Sequence, residues 1–223
     1  MRRSAWPVSL LVTLFLFSCF PSRPSVAPLP PAVQSVEGYA SLRLTNEGKT
    51  AKSRLAFVFH VPDKGRVEVI DPLGRTASLL FLADDQAYLV LPRKRAYWKS
   101  DREEVMSKLL GFALSPEDLT HLLTGRADRL DDWALEKDGR GRVVRGRRTD
   151  LQFEIRQYFE PGPLPRLLVL SRGKTKGSLS ILKLNFNQPL QADVFGLFFL
   201  NDTSYRSAGW EEVELWLREE GKG

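Results

Sequence analysis

Apolar and polar residues alternate with a period of two along one short stretch after another. Turn residues interrupt these stretches about every ten positions, the spacing of an antiparallel meander. Gly38, Ala40, Leu42 and Leu44 alternate with Tyr39, Ser41 and Arg43; Leu55, Phe57, Phe59 and Val61 alternate with Ala56, Val58 and His60. Val67 and Val69 flank Glu68, and Ala77 to Leu82, Tyr88 to Leu91 and Ala96 to Trp98 follow. Asn46-Glu47-Gly48-Lys49, Pro62-Asp63-Lys64-Gly65, Asp71-Pro72-Leu73-Gly74 and Pro92-Arg93-Lys94-Arg95 are the turns between them. After residue 130 the pattern resumes with Leu151, Phe153, Ile155 and Phe159, then Leu164 to Leu170, Leu179 to Phe186 and Val194 to Leu200. The sum is about eleven strands, most with one apolar face, so the sheet covers something on one side and must curl.

Two short helices are predicted between the strand blocks. Ser100-Asp101-Arg102-Glu103 has the spacing of a capping box, Val105, Met106, Leu109 and Leu110 form a stripe, and Gly111 suits the C-cap. The second helix starts at Ser115 with Pro116 and Asp118 in its first turn; Leu119, Leu122 and Leu123 form its stripe, and Gly125 ends it. The inner face of the curled sheet is the obvious place for both stripes. The expected class is therefore α+β, mostly antiparallel β, with a short helical lid.

The N-terminus carries a different signal. Arg2 and Arg3 precede an apolar run from Val8 to Ser18, too short to cross a hydrocarbon core of ~30 Å. The only cysteine, Cys19, follows Leu16-Phe17-Ser18. This resembles a bacterial lipobox, in which the thiol is acylated; a plain signal peptide with a cysteine near its end is the alternative. Cleavage before Cys19 removes two of the 33 basic residues and leaves a net charge of +4. That charge suits an anionic membrane surface and gives no sign of nucleic acid. Pro21 to Pro31 holds five prolines and reads as a semi-rigid spacer. The residue after Cys19 is Phe20 rather than Asp, which favours the outer membrane. The implied organisation is a signal peptide at 1–18, a lipid-anchored linker at 19–33, one domain at 34–200 and a tail at 201–223. In that tail Trp210, Val213 and Leu217 fit a helix, while Val213, Leu215 and Leu217 fit a strand.

The stretches VEVIDPLGRTASLLFL (67–82), SDREEVMSKLLGFALSPEDLTHLLTG (100–125) and LSILKLNF (179–186) together resemble the LolB family of outer-membrane lipoprotein receptors. The resemblance spans roughly residues 34–200. The Pro-rich linker stands where the family has a helix before its first strand, and the segment after Leu200 has no counterpart. The resemblance implies an incomplete antiparallel barrel under a helical lid, monomeric, that takes lipoprotein acyl chains from a periplasmic LolA-like carrier and places them in the outer membrane without catalysis. It also implies an acyl-chain cavity, for which the alternation nominates Leu42, Leu44, Leu55, Phe57, Phe59, Val69, Met106 and Leu109. It further implies a membrane-insertion loop at Asp71, Pro72, Leu73 and Gly74, with Leu73 at the tip; a Leu73 folded back onto the sheet is the alternative.

Other features weigh against enzymes and metals. One Cys excludes a disulfide framework and a Cys-rich zinc site, and only two His, His60 and His121, argue against a His-based one. No cofactor motif stands out. Gly139 to Arg148 holds five arginines and reads as a solvated hairpin or as a basic patch for lipid headgroups. A second functional reading keeps the anchor and the fold but makes the protein a hydrophobic-ligand sensor or an assembly scaffold.

Overall fold

The computed structural model describes residues 24–71 and 73–220. Cys19 and the whole expected signal segment lie outside the described residues, as does Pro72. Thirteen strands form one antiparallel-dominated sheet: β1 (Ser25–Val26), β2 (Ser35–Asn46), β3 (Lys49–His60), β4 (Lys64–Ile70), β5 (Thr76–Ala83), β6 (Gln86–Leu91), β7 (Ala96–Asp101), β8 (Ala134–Lys137), β9 (Val143–Arg148), β10 (Leu151–Tyr158), β11 (Pro165–Arg172), β12 (Thr175–Phe186) and β13 (Arg206–Ser207). Their order is β13-β7-β6-β5-β4-β3-β2-β12-β11-β10-β9-β8, with β1 joining β12 off this path. The edges β13 and β8 do not pair with each other, so the barrel is incomplete as expected. Two of the thirteen strands, β1 and β13, are two-residue pairings that no alternation could reveal.

Strand parity sorts the side chains. On the inner face Val36, Ala40, Phe57, Phe59, Leu80, Leu82, Leu89, Leu91 and Trp98 are buried in one cluster. Helix α1 (Arg102–Leu110) adds Val105 and Met106 to it. Helix α2 (Pro116–Leu123) divides its stripe: Leu123 enters that cluster, and Leu122 enters a second one with Trp133, Phe153, Ile155 and Leu168 under β9 to β11. Each fully buried side chain of this size contributes ~1.5–3 kcal/mol relative to exposure, so the lid is held by packing more than by its own short helices. The second helix has the expected capping box: the Ser115 hydroxyl accepts the Asp118 amide at 2.9 Å, and Asp118 accepts the Ser115 amide at 3.3 Å. The first does not. Ser100 belongs to β7, the N-cap is Asp101 without a side-chain bond, and the Ser100 hydroxyl instead donates to Glu104. Pairing with β6 through Asp101 holds Ser100 in the ladder and denies it the cap position.

Two expected appendages belong to the body. From Ser25 the Pro-rich stretch is docked: β1 pairs in parallel with Lys183 and Leu184, and Val26, Ala27, Leu29 and Val33 pack on the inner cluster. The physical reason is an open edge, since β11 pairs β12 only as far as Ser180. Arg126, just beyond α2, donates to the carbonyls of Pro30 and Pro31 at 2.6 and 2.7 Å. The tail is likewise integrated. β13 pairs with Ala96 and Tyr97, and helix α3 (Trp210–Glu220) settles the helix-or-strand ambiguity by laying Trp210, Val213, Trp216 and Leu217 on the inner cluster. Val194 to Leu200, expected as a strand, is not one. Phe198–Leu200 is a single 3-10 turn that seats Phe199 against Phe81, Tyr88 and Tyr97 on the outer face. The strands beneath already have both lateral partners, so the segment lies across them and covers Leu79, Phe81, Tyr88 and Val90.

Gly146 marks the tightest point of the second cluster. Phe153 is its cross-strand partner, and a Cβ at Gly146 would lie 2.2 Å from the Phe153 ring. That ring is fully buried and 5.1 Å from Trp133. Gly146→Val is expected to cost about 1–3 kcal/mol by overpacking, a fall in melting temperature of about 2–10 °C in a chain of this size. Gly139→Ala, where nothing lies within 4 Å, is expected to leave it unchanged. Equal melting curves for both variants would show that the ring is free to move aside.

Candidate functional site

The turns 47–48, 71–75, 92–95 and 173–174 lie at one end of the sheet, because successive strands reverse direction. Two side-chain contacts join them across strands: Arg93 pairs with Asp71, and Thr175 lies 3.2 Å from Asn46. Within the 71–75 turn the Gly74 amide donates to the Asp71 carbonyl at 2.9 Å, and the Asp71 amide to the Arg75 carbonyl at 2.9 Å. Gly74 has φ +79°, which glycine adopts without strain. This is a three-residue hairpin loop with its glycine in the left-handed position.

Asp71 fastens the turn. Its Oδ1 accepts the Leu73 and Arg75 amides, each at 2.9 Å, and its Oδ2 accepts Arg75 Nε at 3.0 Å and a hydrogen bond from Arg93. With its carboxylate so occupied, the turn cannot fold over, and Leu73 is left 75% exposed. The alternative of a leucine tucked against the sheet is thereby settled. The backbone N–H of Arg75, followed by the Arg75 and Arg93 side chains, holds the Asp71 carboxyl down at about 2.

The same device recurs at 138–142. Asp138 Oδ1 accepts the Arg140 and Arg142 amides, its Oδ2 accepts Arg142 Nε at 2.9 Å, and Gly141 has φ +78°. Arg140 stands where Leu73 stands. Most arginines of this hairpin meet an acid or a ring: Arg142 lies 4.1 Å above the Tyr158 ring, Arg145 meets Glu136 and Glu154, and Arg148 meets Asp118, while the exposed Arg147 donates to the Thr149 carbonyl. Their charge is largely balanced by the hairpin's own acids and by β10 and α2. Of the two devices, the one tipped with leucine is the one that offers apolar surface to a partner.

All eight nominated cavity positions share the inner face, but they divide. Phe57, Phe59 and Met106 are inside the packed cluster, with Leu109 against it. Leu42, Leu44 and Val69 are half-buried, and Leu55 beside Val69 is buried, outside any cluster. These four lie on the strand segments leading toward the Leu73 end. Leu44 and the Phe112 ring both approach Gly177. A groove of about 250 Å³ opens on the opposite, outer face beside Tyr39, Arg66, Glu68 and Lys183. Among the described residues no group of His, Cys, Asp and Glu could hold a metal, and no helix is long and apolar enough to cross a membrane. Arg75 and Arg93 were not nominated from sequence; the repeated Asp-x-x-Gly-Arg spacing at 71–75 and 138–142 is the signal that marks the first of them.

The depressed Asp71 carboxyl fixes the sign of a pH effect. Its stabilising contribution is complete above the ordinary carboxylate value of ~4 and fades as pH falls from there through about 2. A carboxyl-carbon NMR titration is expected to place the Asp71 midpoint near 2, with amide exchange at Leu73 and Arg75 quickening over the same range. A midpoint at the ordinary value would mean that the two arginines do not engage it in solution.

Comparisons with known proteins agree with this architecture. A putative outer membrane lipoprotein-sorting protein domain from Vibrio parahaemolyticus has a TM-score of 0.54 at 10% identity, covering 77% of this chain and 93% of that one. A LolA superfamily protein from Nitrosomonas europaea has 0.52 at 8% identity, over 77% and 94%. A DUF1329 family protein from Desulfovibrio piger has 0.53 at 12% identity, over 75% and 92%. At these identities the likeness is one of fold. No curated protein sequence is a significant match. The sequence profile described as "Outer membrane lipoprotein LolB" matches residues 35–188, β2 through β12 with the lid, and on that match the chain belongs to the LolB family.

Proposed function

We propose that this protein is a lipid-anchored acceptor that receives lipoprotein acyl chains on the inner face of its sheet, from a LolA-like carrier, and passes them to the outer membrane across the Leu73 turn. The observation that carries the proposal is Leu73 itself, 75% exposed on a turn pinned open by Asp71. A leucine gains nothing from water, and its transfer into acyl chains is favourable. The half-buried Leu42, Leu44 and Val69 form an apolar path from that end toward the packed lid. Cargo would advance by displacing α1, whose Met106 and Leu109 offer flexible apolar surface. The steps need burial alone and no covalent chemistry.

The filled inner face supports a second reading, in which the same anchored fold serves as a sensor or scaffold. Residues 24–33, both lid helices and α3 all pack where a ligand would go. Failure of the wild-type protein to bind an acylated peptide would favour it.

Two variants test the first reading. Leu73→Glu alters an exposed tip and is expected to change stability by no more than ~0.5 kcal/mol. It should take up acylated peptide normally and lose transfer to liposomes, because a charge among acyl chains is costly. Joint loss of uptake and transfer with a lowered melting temperature would make Leu73 a packing residue. Cys19→Ala is expected to leave the body folded and free it from salt-washed membranes; retention on the membrane would remove the lipobox assignment.

A further inference from the structure

The Leu73 end of the sheet is a basic rim. Its turns 47–48, 71–75, 92–95, 149–150 and 173–174 hold Arg75, Arg93, Lys94, Arg95 and Lys174 against Glu47, Asp71 and Asp150, and Asp150 is paired with Arg172 at 2.8 Å. All five cations are exposed. Arg75 and Arg93 share the single Asp71 carboxylate, which leaves the pair with an unbalanced positive charge. Lys94 lies 3.6 Å from the exposed Glu219, Arg95 is near enough to Asp202 for its charge to help lower that carboxyl, and no ion pair is found for Lys174 among the described residues. The turns at the other end of the same strands, 61–63 and 84–85, hold Asp63, Asp84 and Asp85, flanked by Lys64 and by Arg102, which lies 3.7 Å from Asp85. Asp63 and Asp84 crowd each other enough that their mutual hydrogen bond raises the Asp84 carboxyl. The Leu73 end therefore carries an excess of positive charge that the far end lacks.

A second, independent observation gives the same direction. β1 runs parallel to β12, and β12 runs away from the Leu73 end. Ser25 and Val26 therefore run away from the basic rim, with Ser25 on the rim side. Cys19 is six residues before Ser25, a reach of at most ~20 Å. Ser25 lies level with Lys183, which pairs with Tyr39, and Tyr39 pairs with Ala56 opposite Glu68. Glu68 is only two residues below the end of β4. A leash of that length is long enough to hold the anchor and the Leu73 tip against one bilayer.

We propose that the rim formed by Arg75, Arg93, Lys94, Arg95 and Lys174 is a docking surface for a bilayer containing anionic phospholipid, which sets Leu73 at the headgroup level before cargo is released. The proposal rests on the reading of Leu73 as a bilayer-contacting tip. Charge complementarity selects the occupant: an excess of cations on the rim that carries a single apolar tip matches phosphate groups over acyl chains, where long-range attraction positions the protein and Leu73 supplies the insertion.

The test uses the body, residues 24–220, which forms the packed unit described above and carries no anchor. Its sedimentation is measured with vesicles of phosphatidylethanolamine containing phosphatidylglycerol and with vesicles of phosphatidylcholine alone. Binding to the anionic vesicles only, weakening as salt shortens the Debye length from ~10 Å toward ~3 Å, is expected. Lys94→Gln, Arg95→Gln and Lys174→Gln combined leave the Asp71 turn untouched and should reduce binding at least tenfold with the melting temperature unchanged. Equal binding to both vesicle types, or an unchanged triple variant, would overturn the proposal. So would intact vesicle binding by a triple variant that no longer captures a LolA-like carrier, which would assign the rim to a protein partner. Leu73→Glu separates the two readings. If the triple variant binds poorly while Leu73→Glu delivers cargo normally, the rim stands and tip insertion falls. If Leu73→Glu loses delivery while the triple variant binds as well as the wild type, tip insertion stands and the rim falls.

Discussion

An open sheet with an apolar inner face cannot bury that face by itself. A closed barrel would fill its interior from its own strands, but here β8 and β13 do not meet, and the inner side chains of β2 to β7 and β9 to β11 must be covered by something else. That work is shared by the stretch 24–33, α1, α2, α3 and the connections around α2, which contribute Phe112, Leu114, Ala127, Leu130 and Trp133. The rest of the architecture follows from this requirement. Helix α2 sends Leu122 and Leu123 into different clusters, and Leu110 and Leu119 pack against both. A cover made of separate short pieces is also one that can be displaced piecewise, because none of the helices exceeds 11 residues and each depends on its apolar stripe for stability.

The turns supply the complementary property, rigidity at the rim. In each Asp-x-x-Gly-Arg loop one carboxylate binds two backbone amides and the arginine that follows the glycine, so the loop is closed without burial. Such exposed ion pairs add little to global stability. Their effect is positional: the residue before the glycine is held outward whatever its polarity. At 140 that residue is arginine, which water solvates; at 73 it is leucine, which water does not. An apolar tip on a pinned turn beside Arg75 and Arg93 is a local conflict with solubility, and conflicts of that kind mark function more often than packing.

Membership of the LolB family places this fold among outer-membrane lipoproteins, and the family match ends at residue 188. The chain beyond it is structurally committed. Phe199 closes the outer face over β5 and β6, while Phe198 and Leu200 beside it remain about half exposed. Strands β5 and β6 thus have apolar residues on both faces, and the near-continuous run Leu79 to Leu82 in the sequence records that.

The meander, the face to which Leu42, Phe57 and Met106 belong, the second helix's cap and the turn that carries Leu73 were legible in the sequence, because each depends on residues within a few positions of one another. Period-two alternation sets strand parity, Ser115 and Asp118 cap across one turn, and an Asp-Pro-Leu-Gly turn closes on itself. The fate of the Pro-rich stretch, the tail and Val194 to Leu200 was not legible. Their apolar residues fit several local conformations equally, and the choice was made by distant chain: the free β12 edge beyond Ser180 for β1, the uncovered inner face for α3, and the Phe81–Tyr88 surface for Phe199. Ser100 shows the reverse case, a good local cap overruled by its pairing with Ala87 in β6. The sequence by itself determined the long strands of the meander and the lid, since short-range backbone and hydrophobic patterning dictate them; only the tertiary structure decided which segments close the open sheet, that Leu73 stands outward and that Arg93 reaches Asp71, since those outcomes rest on contacts between residues with no local relation.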